Sequence, residues 1–224
     1  MQRMNIAIDG PAGAGKSTVA KAVAAALSIK YLDTGAMYRA MALLAIRSGV
    51  DPADGKAVER LLAHADIRVV YTEEGQRVLL SGEDVTPYIR TPEISMGASS
   101  ISAHPCVRLC LTDLQRAVAG EYDVVMDGRD IGTNVLKDSP CKIYLTADPR
   151  ERARRRCLEL QAKGLPADID TVEREIRERD HQDSTRAFMP LRQAEDAVLV
   201  DSTGLDRQQV TDRVLAIVRE RYGL

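Results

Sequence analysis

The chain has 224 residues, of which 45% are hydrophobic and 29% charged, and its formal net charge is −2. This length allows one domain with a sizeable core and an insert, and the composition is typical of a soluble globular protein. A net charge near zero gives no basic field for nucleic acid, and no apolar run approaches the roughly 20 residues of a membrane span. The sequence has no secretory signal pattern and no metal-ligand spacing among its four cysteines, so we expect a cytoplasmic protein.

The N-terminal part alternates between short apolar runs and helix-forming segments. We predict strands at NIAID (5–9) and YLDTG (31–35). Helices are expected at STVAKAVAAAL (17–27) and at AMYRAMALLAIRSG (36–49), the second of which Gly49 ends. This alternation is typical of parallel α/β folds.

The middle of the chain departs from this alternation. Two β-rich runs flank a Gly-containing turn in IRVVYTEEGQRVLLSGEDVT (67–86), which predicts a hairpin. Because hairpin strands do not belong to a parallel sheet built from βα units, we expect an inserted subdomain at about 61–100. HPCVRLCLTDLQRAVAG (104–120) then predicts a helix, with Pro105 in its first turn and Gly120 past its end.

Strands return in the remaining sequence, at YDVVMDG (122–128), CKIYLTA (141–147) and AVLVDST (197–203), and a last helix is expected near 206–221. Five strands with helices between them predict an α/β fold, a five-stranded parallel sheet with helices on both faces. We expect a single domain over 1–224. Its core comprises about 1–60, 101–150 and 190–224.

Two further helices are predicted on either side of a Gly/Pro turn, at 150–164 and 168–190, and Asp170 and Glu173 are spaced as a capping box at the start of the second. Helices joined in this way can move as a hinged flap, so we predict a lid at about 151–189. Ten arginines and nine acidic residues lie between positions 150 and 192. Such mixed charge fits either solvated, salt-bridged helices or guanidinium groups placed over phosphates.

One motif identifies a phosphate-binding site. GPAGAGKST (10–18) matches GxxxxGK[ST], follows an apolar strand and opens a helix. The glycines let the backbone wrap phosphates, Lys16 places a cation beside the β- and γ-phosphates, and Ser17 offers a hydroxyl to Mg²⁺. The sequence therefore predicts a nucleoside triphosphate site of the P-loop NTPase type. Its residues are Gly10, Pro11, Ala12, Gly13, Ala14, Gly15, Lys16, Ser17 and Thr18.

A second motif, VVMDGRD (124–130), ends a predicted buried strand. Asp127 occupies the position of an acid that holds Mg²⁺ directly or through water, although an Asp that caps the next turn has the same appearance. Arg129 and Asp130 follow at the carboxyl end of the strand, where open α/β sheets bind ligands. Arg179, Asp183 and Arg186 have the i, i+4, i+7 spacing of one helix face.

These motifs together resemble those of the bacterial cytidylate kinases. IDGPAGAGKST, LDTGAMYR, DGRDIGT, ERDHQDSTRAFMPL and VDST occur in that order, and the resemblance covers essentially the whole chain. It implies a nucleoside monophosphate kinase fold in which the 61–100 insert binds the monophosphate and 151–189 is an arginine lid. It also implies transfer of the γ-phosphoryl group of ATP, with Mg²⁺, to CMP or dCMP. Nothing in the sequence suggests more than a monomer, so we expect a monomer.

The resemblance further implies roles for individual residues. Those matched to cytosine recognition are Ser99, Arg108 and Asp130. Those matched to the acceptor ribose and phosphate are Thr34, Tyr38, Arg39, Gly128, Arg129, Arg179, Asp183 and Arg186. The lid arginines are Arg152, Arg155 and Arg156, and the catalytic set is Lys16, Arg129, Arg179, Asp183 and Arg186.

An acceptor phosphate is already anionic near pH 7 and needs no general base, so arginines that offset charge repulsion suit this chemistry.

Two other functions are compatible with a phosphate-binding loop. A small-molecule kinase with a hydroxyl acceptor, such as a sugar or shikimate type, needs a carboxylate base, and Asp33 and Asp130 are the candidates. A regulatory or motor ATPase needs a macromolecular partner, which the small size and near-neutral charge do not favour.

Overall fold

The computed structural model describes residues 3–162 and 164–224. Met1, Gln2 and Lys163, which the predicted domain and lid ranges include, lie outside the described residues. The chain divides into two compact units, one formed by residues up to Ile29 together with Asp123–Leu224, the other by Lys30–Tyr122.

The secondary structure confirms the predicted alternation of strands and helices. The strands are β1 (Asn5–Asp9), β2 (Lys30–Asp33), β3 (Ile67–Thr72), β4 (Gly75–Leu80), β5 (Glu83–Asp84), β6 (Val124–Gly128), β7 (Cys141–Thr146) and β8 (Val198–Asp201). The helices are α1 (Lys16–Leu27), α2 (Thr34–Arg47), α3 (Gly55–Leu62), α4 (Pro92–Ile101), α5 (Pro105–Glu121), α6 (Pro149–Gln161), α7 (Ile169–Thr185) and α8 (Arg207–Tyr222). A short π-helical turn (Ile131–Val135) follows β6.

The main sheet has five parallel strands, as the sequence predicts, and the first unit holds four of them in the order β6-β1-β7-β8. Strand β1 pairs with β6 on one side and β7 on the other, with Asp9 opposite Gly128. Ile6, Ala7 and Ile8 are completely buried, as expected for a strand covered on both faces. Because β1 and β6 run parallel and in register, the loops that follow them start at the same edge of the sheet.

Helices α6 and α7 form a pair with a small apolar core of its own. Ala153 and Cys157 of α6 pack with Val172 and Ile176 of α7. The predicted capping box at Asp170 is wrong. The N-cap is Asp168, whose carboxylate accepts from the Thr171 amide at 2.8 Å and so ends the loop two residues earlier.

The end of α7 also differs from the prediction. The helix stops at Thr185, and Arg186 is in extended conformation. The chain then turns back through Met189, which has a left-handed φ of 51°, and the Leu191 amide donates to the Asp183 carbonyl at 2.8 Å. The turn therefore returns the chain to the last turn of α7.

The second unit contains the predicted hairpin, formed by β3 and β4, and a third antiparallel strand, β5. Helices α3 and α4 were not predicted, although each carries a usable signal: Val58, Leu61 and Leu62 of α3 have helical spacing, and Thr91 followed by Pro92 is a typical helix start. Gly120 lies inside α5, so its predicted position past the helix end is wrong; the helix continues to Glu121. Ser99 lies inside α4.

Within residues 3–162 and 164–224, none of the helices combines the length and the apolar character that crossing a membrane requires.

Gly10, the first residue after β1, lies close to the backbone of β7, and substituting it tests this close approach. A Cβ built there would lie 1.9 Å from the Leu145 carbonyl oxygen, and its φ is +148°. We expect Gly10→Ala to lower the free energy of unfolding by about 3 kcal/mol or more, measured by urea denaturation. Gly204→Ala is the control: it has a left-handed φ of +71° but open space around it, so the backbone cost alone is about 1 kcal/mol. Equal losses in the two variants would contradict the close approach at Gly10.

Candidate functional site

The phosphate-binding loop runs from β1 into α1, and Lys16, at the start of α1, is buried. The Lys16 side chain is only 6% exposed, and its Nζ donates to the Pro11 carbonyl at 2.7 Å. Burial and, next to it, the nearby guanidinium of Arg129 lower the pKa of Lys16 to about 7, although the carboxylates of Asp127 and Asp183 act in the opposite direction. Lys16 is therefore a cation whose charged form a neighbouring anion would favour.

Ser17 and Asp127 form a pair of hard oxygen ligands beside this loop. The Ser17 hydroxyl donates to Asp127 Oδ2 at 2.7 Å, although the residues are 110 positions apart in the sequence. Among the described residues there is no cluster of three or more His, Cys, Asp or Glu side chains that would hold a metal without help. One hydroxyl and one carboxylate instead suit Mg²⁺, which usually binds through one or two protein groups together with phosphates and water.

Asp9, the last residue of β1, fixes the loop that follows β6. Its two carboxylate oxygens accept from consecutive amides, Ile131 N at 2.8 Å and Gly132 N at 2.7 Å. Burial raises the pKa of Asp9 to about 7, and the charge of Asp130 contributes in the same direction, while the two amide bonds oppose it. One side chain thus sets the position of the backbone next to Asp130.

Four charged side chains alternate in sign beyond this loop, and we call them the charge chain: Arg129, Asp183, Arg186 and Asp130. Arg129 Nε donates to Asp183 Oδ2 at 2.8 Å. Arg186 lies 3.5 Å from Asp183 Oδ1 through Nη1 and 3.5 Å from Asp130 Oδ1 through Nη2. The residues come from the loop after β6, from α7 and from the turn after α7, so three segments meet in it.

The protonation states in the charge chain follow from its alternation. Burial alone would raise the pKa of Asp183, but Arg129, with further help from Arg179 and Arg186, holds it below the ordinary value. Burial likewise acts to lower the pKa of Arg129, and the Asp183 carboxylate outweighs it, so that pKa is raised. Asp183 and Arg129 are therefore both charged, and each stabilises the charge of the other.

The predicted lid arginines occupy three different environments. Arg152 is buried and donates to the Ala12 carbonyl at 2.8 Å. Arg155 donates through Nη2 to the Ser202 carbonyl at 2.6 Å, in the loop after β8. Arg156 is exposed and forms a 3.0 Å ion pair with Glu159, so its contacts are those of a solvated helix face.

In the second unit, Asp33 organises the N-terminus of α2. Its Oδ1 accepts from the Ala36 amide at 3.0 Å as the N-cap, and its Oδ2 accepts from Arg90 Nη2 at 2.7 Å. Gln76 of β4 bonds to the Asp33 backbone on both sides, at 2.6 Å to its amide and 3.3 Å to its carbonyl. Thr34, the first residue of the helix, follows this anchored position, and Arg39 Nη1 lies 3.8 Å from Asp33 Oδ1.

Two more predicted residues of this unit, Tyr38 and Arg108, lie in contact, and the Arg108 guanidinium is buried. Arg108 is 2% exposed, its Cζ lies 5.5 Å from the centroid of the Tyr38 ring, and Nη1 donates to the Ser102 carbonyl at 3.3 Å. Ser102 ends α4, and its hydroxyl donates to the Ser99 carbonyl at 2.8 Å. The C-terminal end of α4 and the start of α5 thus hold Arg108 in a fixed orientation.

Several residues with structural roles at the site were not predicted. Asp9 and Asp180 bind backbone amides of functional loops, and Gln76 and Arg90 hold Asp33. Asp9 carried a usable signal, since it is a carboxylate at the end of an apolar strand directly before the glycines. Gln76 carried none, because its contact joins positions 43 residues apart.

Comparisons with known proteins agree with this geometry. The family model for cytidylate kinase matches residues 6–220. The cytidylate kinase of Carboxydothermus hydrogenoformans is 51% identical over 215 residues, which cover 96% of this chain and 97% of that protein. The cytidylate kinase of Shouchella clausii is 48% identical over 216 residues, 96% of each chain.

A solved structure supports the fold alone. The structure of an uncharacterized protein from Eubacterium ventriosum matches with a TM-score of 0.51 at 14% sequence identity, and the match covers 96% of this chain and 98% of that one. The sequence matches extend over nearly the whole chain at about half of its positions. The chain therefore belongs to the cytidylate kinase family.

Proposed function

We propose that the protein is a kinase that transfers the γ-phosphoryl group of ATP to CMP or dCMP and forms CDP or dCDP. The observation that carries the proposal is the charge chain on the same unit as the phosphate-binding loop, with its two arginines already paired and oriented. Relatives at 48–51% identity named cytidylate kinase support the choice of acceptor.

The donor half of the reaction uses the loop from Gly10 to Thr18. Its amides at the start of α1 and the Lys16 ammonium group suit the β- and γ-phosphates of ATP. Because burial lowers the pKa of Lys16 to about 7, an adjacent phosphate would restore its charge and gain interaction energy in a site with little water. Ser17 and Asp127 would hold Mg²⁺, which when bound supplies positive charge to the phosphate oxygens.

The acceptor half needs cations more than it needs a base. A nucleoside monophosphate carries about −1.5 to −2 charge near pH 7, so its oxygen is already a nucleophile. Arg129, Arg179 and Arg186 would offset the repulsion between this group and the γ-phosphate and stabilise the charge of the transition state. Asp183 serves this set by keeping the guanidinium groups of Arg129 and Arg186 in place. Thr34, Tyr38 and Arg39 remain predicted acceptor contacts.

Selection of cytosine requires a group that accepts from its N4 amino group. We propose Asp130 for this role, because a carboxylate favours the amino donor of cytosine over the O4 acceptor of uracil. Its position is set by Asn134, which donates to Oδ2 at 3.1 Å, and by the neighbouring Arg186. Ser99, Arg108 and Gly128 remain predicted contacts of the same nucleotide.

The geometry also bears on the alternative function, a small-molecule kinase with a hydroxyl acceptor. Asp33 caps α2 and binds Arg90, and Asp130 binds Asn134 and lies beside Arg186. Both carboxylates thus carry positioning contacts, which does not favour either of them as a general base. Cytoplasmic location, a monomeric state and the absence of nucleic acid or membrane partners remain predictions.

A panel of acceptors tests the proposed function. We expect rapid ATP-dependent phosphorylation of CMP and dCMP in a coupled assay with Mg²⁺, slower turnover of UMP, and none of shikimate or sugars. The same assay with EDTA added measures the magnesium requirement. Turnover of a hydroxyl acceptor in preference to CMP would contradict the proposal.

Asp130→Asn tests the base selection. An asparagine can present either an acceptor or a donor, so we expect the ratio of kcat/KM for CMP to that for UMP to fall about 10- to 100-fold, with little change in KM for ATP. Asp123→Asn is the matched control: this carboxylate precedes β6, at the opposite end of the strand from Asp130, and accepts from the Met4 amide at 2.8 Å. Wild-type discrimination in Asp130→Asn would remove Asp130 from base recognition.

A further inference from the structure

An ion pair between the two lid helices binds both backbone polar groups of one residue of the phosphate-binding loop. Asp180 Oδ1 of α7 accepts from the Ala12 amide at 3.0 Å. Arg152 Nη1 of α6 donates to the Ala12 carbonyl at 2.8 Å and to Asp180 Oδ2 at 2.5 Å. Both hydrogen-bonding groups of Ala12 are therefore held by this one pair, which we call the Ala12 clamp.

Arg152 makes three hydrogen bonds in this arrangement. Its side chain is buried, and Nε donates to the Ala147 carbonyl at 2.9 Å in addition to the bonds made by Nη1. If the buried Arg152 guanidinium left these partners, it would lose its hydrogen bonds and the counter-charge of Asp180 together, which is costly. These contacts favour a role in holding the loop over the direct phosphate contact that the resemblance implies for Arg152.

Close packing accompanies the charges. A Cβ added at Gly13 would lie 3.3 Å from Arg152 Cβ and 3.6 Å from Ile176 Cδ1. Ile176 belongs to the apolar core that joins α6 to α7. The helix pair therefore contacts the loop at two successive residues, by hydrogen bonds at Ala12 and by van der Waals contact at Gly13.

We propose that Arg152 and Asp180 are positioning residues for ATP. They orient the two peptide groups on either side of Ala12, so that the loop amides that follow face the phosphates before the nucleotide arrives. The entropy cost of ordering the loop is then part of folding and not of ATP binding. Because the clamp belongs to α6 and α7, the conformation of the loop depends on how these helices dock. This inference rests on the proposed function only in taking ATP as the ligand of the loop.

The test is Asp180→Asn, which keeps an acceptor for the Ala12 amide but removes the charge opposite Arg152. We expect the Kd for ATP without CMP, and the KM for ATP, to rise about tenfold or more. The KM for CMP should change by less than about twofold, a split that general destabilisation would not produce. Glu178→Gln, an exposed acid on the same helix, should leave all three constants unchanged.

A double variant separates positioning from folding. Arg152→Met with Asp180→Leu removes both charges while keeping apolar volume, a replacement that folded proteins often tolerate. ATP binding is measured by calorimetry well below the melting temperature of each variant, where circular dichroism shows the folded state. Weakened ATP binding in both variants supports the clamp, and wild-type affinity in either overturns it. Failure of the wild-type protein to phosphorylate any monophosphate would instead reject the proposed function, since ATP binding is measured without an acceptor.

Discussion

Charge taken out of water must be balanced, and this requirement shapes the functional part of the first unit. Lys16, Asp127, Asp130 and Asp183 are all buried, and each lies within reach of opposite charge or of a polar group. The opposite charges come from segments that are far apart in sequence. The contacts that pair these charges therefore also fix the relative positions of the segments that form the site. An incoming phosphate then meets cations that are already oriented.

Three independent contacts hold the phosphate-binding loop and its neighbour. The absence of a side chain at Gly10 admits the Leu145 carbonyl, Asp9 ties the end of β1 to the loop after β6, and the Ala12 clamp ties the loop to α6 and α7. Such preorganisation suits phosphoryl transfer, in which catalysis consists mainly of positioning and electrostatic stabilisation. Excluding solvent from the site would also favour transfer to the acceptor, because water that reached the γ-phosphate would compete with the acceptor.

Local sequence predicted the parts of the molecule that local physics decides. The apolar run before Gly10 gave the central strand, and GxxxxGK[ST] gave the loop, because strand periodicity and glycine spacing act over a few residues. The pairing of Arg129 with Asp183, 54 positions apart, and of Asp180 with Ala12, 168 apart, depends on the fold and leaves no local pattern. The N-cap at Asp168 was missed for a smaller reason. Two neighbouring aspartates, Asp168 and Asp170, can each accept from a helix amide, and the first of them is the cap.

If the site delivers the γ-phosphoryl group to a nucleoside monophosphate and protects it from water, ATP is consumed only when an acceptor is present. Measuring ATP consumption with and without CMP, while following CDP directly, tests this most directly. We expect almost no ATP loss without CMP, and one CDP formed for each ATP consumed when CMP is added. ATP hydrolysis that proceeds at the same rate with or without CMP would contradict it.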